Sequence, residues 1–104
     1  RYHQAEQYYL EALEMKYGFV KALHGLGQVY MATGEYQKAI QRLEQALEKA
    51  PEAAPILLDL GWAYAKNMEY HKALQSFEKA AANARGTPLA DEAAAAAAHV
   101  RDMR

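Results

Sequence analysis

Apolar residues return every three or four positions along almost the whole chain, as in Leu23, Leu26 and Tyr30, and again in Ala39, Leu43, Ala46 and Leu47. That spacing gathers them on one face of an α-helix, and strand-type alternation is absent. Interruptions fall at Tyr17-Gly18, Thr33-Gly34, Ala50-Pro51, Asn67-Met68 and Arg85-Gly86-Thr87-Pro88. Gly, Asn and Pro supply helix stops there, and Thr87 before Pro88 reads as an N-cap followed by a first-turn proline. The pattern predicts six helices, over residues 1–16, 20–32, 36–50, 54–66, 70–84 and 88–103, joined by short turns.

The same pattern repeats every 34 residues: Tyr2, Tyr36 and Tyr70 share one register, Ala5, Ala39 and Ala73 a second, and Ala12, Ala46 and Ala80 a third. A period of this length belongs to stacked units that bury their apolar faces only against neighbours. The second and fourth helices carry Leu-x-x-Leu-Gly-x-x-Tyr, at Leu23, Leu26, Gly27 and Tyr30 and at Leu57, Leu60, Gly61 and Tyr64. Glycine inside a helix costs about 1 kcal/mol relative to alanine, so its return at one register implies a helix contact too close for a side chain. The first, third and fifth helices place a large residue (Tyr9, Leu43, Phe77) between two small alanines, a knob with its hole.

These motifs, with Pro51 closing a unit, resemble the tetratricopeptide repeat family over essentially the whole chain. The resemblance implies an all-α, right-handed solenoid of helix-turn-helix repeats. Residues 20–53 and 54–87 correspond to complete repeats, 1–19 to the second helix of a preceding one, and 88–104 to a capping helix or partial repeat. The chain thus starts in mid-unit at Arg1 and reads as a piece of a longer solenoid. Departures from the pattern fall at Tyr17 and Arg85, where the family places its closing proline. Met68 stands at the register of Gly34, beside an Asn67 suited to the left-handed turn conformation. In the last helix Ala94, Ala95 and Ala98 replace Leu, Gly and Tyr, while Leu89, Ala93, Ala96, Val100 and Met103 keep an apolar stripe.

Composition narrows the role. With 52% apolar residues in 104, a continuous core needs no staples, and the absence of cysteine excludes disulfides and thiolate metal sites. It also leaves the compartment open between cytoplasm and bacterial periplasm. A net charge of −1 with scattered Lys and Arg argues against nucleic acid, including a helical-repeat RNA reader, and no apolar run is long enough to insert in a membrane. Ser76, the single serine, has no Gly elbow and reads as an outward-facing helix residue. His3, His24, His71 and His99 include no pair at metal-ligand spacing, and Gly25 and Gly27 lie within a helix rather than a phosphate loop. No enzyme, cofactor or metal is expected.

In the family that this chain resembles, the first helix of each repeat lines a concave groove. With Leu23, Leu26 and Tyr30 turned inward, helical spacing brings His24, Gln28 and Met31 to another face, with Lys21 at the rim. The next repeat contributes Leu58, Trp62 and Ala65 flanked by Lys66, and the last helix Glu92, Ala96 and His99. Trp62 is either a binding anchor, being the residue type most enriched at interface hot spots, or a packing residue against Ala96 and His99. The carboxylate clamp of some family members, built from Lys, Asn and Arg, is absent, which favours an apolar or amphipathic peptide or helix as partner. A second expectation is self-association through the end helices, since Tyr2, Tyr8, Tyr9 and Leu10 lack a partner helix of their own.

Overall fold

Each predicted apolar stretch is a helix in the computed structural model, which describes residues 1–16 and 18–103. In order they are α1 (Tyr2–Glu14), α2 (Phe19–Ala32), α3 (Tyr36–Lys49), α4 (Ala54–Lys66), α5 (Tyr70–Asn83) and α6 (Pro88–Arg101). The ends lie within about two residues of the predicted ones, the difference being residues taken into the caps. The expected stop at Tyr17 lies outside the described residues; Gly18 beside it is left-handed at φ 51° and forms the N-cap of α2. Thr87 caps α6 as predicted, its Oγ1 accepting from the Ala90 N–H at 3.3 Å, with Pro88 at the first helical position.

The hairpins α2–α3 and α4–α5 turn in the same way. The Glu35 N–H reaches the Tyr30 carbonyl at 2.8 Å, and the Glu69 N–H reaches Tyr64 at the same distance. This six-to-one closure needs a left-handed residue just before the donor. Gly34 supplies it at φ 81° and Met68, not Asn67, at φ 65°. The 34-residue register puts Met68 at that position, and Asn67 instead donates from its side-chain amide to Glu69 at 2.7 Å.

Successive helices pack antiparallel into a chain of neighbours, and in addition α2 touches α4 and α4 touches α6. Among the described residues α1, α3 and α5 make no such mutual contacts. The layer α2, α4, α6 is therefore the shorter, inner side of the curve and α1, α3, α5 the outer. The result is an all-α helical-repeat solenoid, 40 × 26 × 21 Å.

The core runs between the two layers and is most fully enclosed at Leu23, Leu26, Leu43, Phe77 and Val100. Its tightest contacts are at the helical glycines. A Cβ on Gly27 would sit 2.6 Å from Leu43, and one on Gly61 2.5 Å from the Phe77 ring. Gly25 is covered in the same way by the ring of Tyr9 from α1. Tyr9, Leu43 and Phe77 are the three 34-spaced large residues of the sequence, so each outer helix drives its knob into a backbone notch of an inner one.

Polar ties join each outer helix to the inner helix that follows it. The Tyr30 hydroxyl donates to Glu6 at 2.7 Å, the Tyr64 hydroxyl donates to Glu44, and Arg101 donates to Glu78 at 3.3 Å. Both tyrosine rings are buried. Burial first, then the bond to Glu6, pushes the Tyr30 phenol up to about 12, and burial with the Glu44 bond raises Tyr64 in the same direction.

Two outcomes follow for stability. Gly61→Ala gains about 1 kcal/mol of helix propensity but overpacks an immobile ring at a cost of about 1–3 kcal/mol, so its urea midpoint falls; Gly25→Ala loses less, because the half-exposed Tyr9 can swing aside. Equal or raised midpoints for both would contradict the notch. The raised tyrosines make the fold favour the protonated phenol. Their contribution is whole below the ordinary tyrosine value of about 10 and is lost as the pH climbs from there towards 12. Melting followed by circular dichroism should decline over that interval, less steeply in Tyr30→Phe and Tyr64→Phe; parallel profiles would refute the coupling.

Candidate functional site

The inner layer presents the residues that sequence spacing singles out. On α2, Lys21 and Gln28 are exposed while His24 and Met31 are half-buried. On α4, Lys66 is exposed, Trp62 and Ala65 are half-buried, and Leu58 is buried in the core cluster. On α6, Glu92 and His99 are exposed and Ala96 is buried. Core positions of one helix face the outer layer, so the positions between them have only the neighbouring inner helices and solvent to meet.

Two of these side chains, His24 and Gln28, converge with a third that spacing did not reveal. His24 Nε2 lies 2.6 Å from Asp59 Oδ2, and the Gln28 amide donates to the same oxygen at 3.3 Å and lies 3.4 Å from His24 Nε2. The cluster links α2 to α4 across the inner surface, with His24 and Asp59 both only partly exposed. Asp59 occupies the register of Gly25, one residue beyond Leu58. Its signal in the sequence is chemical rather than periodic: it is the one charged residue in α4 before Lys66.

One turn along α4 from Leu58, Trp62 meets Phe77 edge to face, with centroids 5.0 Å apart at 70°. One packing partner is thus the ring that fills the Gly61 notch, on α5. The indole is only partly covered, and Asp59 lies one helical turn before it on α4. Donors and acceptors at His24, Gln28 and Asp59 beside the Trp62 ring can recognise a chain by hydrogen bonding and apolar contact. Glu92 and His99 make no hydrogen bond to the α2 and α4 members among the described residues.

Ser76, expected to face outward, is buried. It precedes Phe77 and turns towards α4, lining with Leu57, Leu60 and Tyr64 an open pocket of about 410 Å³ between α3, α4 and α5. Charged and amide neighbours in sequence (Gln75, Glu78) concealed this, because a small side chain adds little to a hydrophobic pattern. Among the described residues no group of three His, Asp or Glu side chains converges as metal ligands.

No curated protein matches the chain. A family model described as tetratricopeptide repeat matches residues 1–54 and again residues 24–88. Repeats of this kind generally mediate protein–protein interaction. The period, the paired helices, the glycine notches and this match together place the chain in the tetratricopeptide repeat family.

Proposed function

We propose that this chain is a non-catalytic scaffold that holds a peptide or amphipathic helix of a protein partner along its inner face. In this reading residues 20–53 and 54–87 are complete repeats, 1–19 the second helix of another and 88–104 a cap or partial repeat. The observation that carries it is the contrast between layers. Core registers conserve their residue type from repeat to repeat, whereas His24, Leu58 and Glu92 share one inner register and nothing else, as do Gln28, Trp62 and Ala96. A scaffold repeats what holds it together and varies what it reads. The polar cluster at His24, Gln28 and Asp59 supplies direction, and the indole supplies an apolar anchor at low entropic cost.

Trp62 is the only tryptophan, so its emission reports the inner face directly. Adding a captured partner should shift that emission to shorter wavelength. Trp62→Phe retains a ring against Phe77 and should melt within a few degrees of the wild type while losing more than about 1 kcal/mol of partner affinity. Unchanged affinity, with Gln75→Ala on the outer layer as control, would reject the groove.

Self-association is the second reading, favoured by one observation: α1 buries none of its residues, and Tyr2 and Tyr8 stand well exposed. Exposed aromatic faces of that kind pair readily with a second copy. Sedimentation over a concentration series should then show a dimer that Tyr8→Glu dissolves; a monomer throughout would remove this reading.

A further inference from the structure

A second cleft opens where the C-terminal ends of α1 and α3 flank the start of α2. Leu13, Lys16, Phe19, Val20 and Lys49 line about 510 Å³, and a furrow of about 220 Å³ continues from it past Leu23 to Arg42 and Glu48. It shares no residue with the inner-face set. Its floor is apolar, and Phe19 remains 39% exposed on it. Its rim carries three cations, Lys16, Lys49 and Arg42, against the single carboxylate of Glu48.

Among the described residues neither lysine has a carboxylate within 4.0 Å. The Lys49 ammonium lies over the Phe19 ring at 5.7 Å instead. Lys16 is left-handed at φ 58°, a conformation unfavourable for a residue bearing a Cβ and open to glycine. The cleft is also where the repeat breaks. One period on, Lys16, Phe19 and Lys49 become Ala50, Ala53 and Asn83. There the Asn83 amide donates to the Glu52 carbonyl at 3.4 Å. A strained lysine, an exposed ring and a second lysine thus converge at the first turn alone of these two.

We propose that this cleft is a binding surface separate from the inner face, for an acidic segment of a protein partner that inserts one aromatic or aliphatic side chain between Leu13, Phe19 and Val20 while its carboxylates meet Lys16, Lys49 and Arg42. The net positive rim selects the charge of the flanks, and the apolar floor selects the anchor.

The test uses a blocked pentapeptide with a central phenylalanine between two pairs of glutamates, and its counterpart with lysines in place of the glutamates. Calorimetric titration of the full chain should give at least roughly tenfold tighter binding of the acidic peptide. Amide shifts in NMR should fall at Leu13, Val20, Leu23 and Lys49. Lys49→Glu should weaken the acidic peptide by roughly tenfold, and Lys16→Gly by about threefold while raising Tm by a few degrees, so that lost binding is separated from lost folding. Equal affinity for both peptides, shifts centred on His24, Gln28 and Trp62, or binding indifferent to both variants would overturn the proposal. So would adsorption through the same residues to phosphatidylglycerol vesicles without peptide binding, or a dimer that Lys49→Glu dissociates.

Discussion

The contact on which this molecule depends is a large side chain driven into a helix where a glycine leaves only backbone. Leu43 enters at Gly27, Phe77 at Gly61 and Tyr9 at Gly25. At these points an added Cβ would collide with the neighbouring helix, and the surrounding leucines and alanines join the same buried core. A mid-helix glycine is otherwise unfavourable by about 1 kcal/mol, so it is retained where the packing it permits outweighs the propensity it forgoes. Because knob and notch lie on consecutive helices, the contact propagates along the chain and sets the solenoid.

Curvature follows from that packing. The inner helices touch one another and the outer ones do not, so side chains between the core positions of α2, α4 and α6 are crowded onto one surface. There the cluster of His24, Gln28 and Asp59 lies near Trp62, itself seated on the Phe77 knob. Scaffold and candidate site therefore share a residue: the ring that closes the Gly61 notch also orients the indole. The outer layer is tied to the inner by buried tyrosines whose hydroxyls reach glutamates at the surface, which satisfies a polar atom at the edge of an apolar core.

Much of this was legible in one dimension because helix packing is periodic. Leu23, Leu26, Gly27 and Tyr30 recur as Leu57, Leu60, Gly61 and Tyr64, and the spacing alone names the face they bury. Asp59 was not legible, since a hydrogen bond between residues 35 apart leaves no trace in local spacing. Ser76 looks exposed in the sequence for the opposite reason: its neighbours are polar, and its own side chain is too small to mark a buried face. Met68 adopts the left-handed turn because the closure of the hairpin dictates that position, and the preference of Asn67 for the conformation could not override the register.

By itself the sequence determined the helices, their order, the glycine notches and the kinship with tetratricopeptide repeats, since each depends on residues at short, regular separations. Only the tertiary structure decided which non-repeating side chains meet: His24 with Asp59, Trp62 with Phe77, Lys49 with Phe19. The reason is that recognition surfaces are assembled from helices a whole repeat apart, where distance along the chain says nothing about distance in space until the knobs have set the curvature.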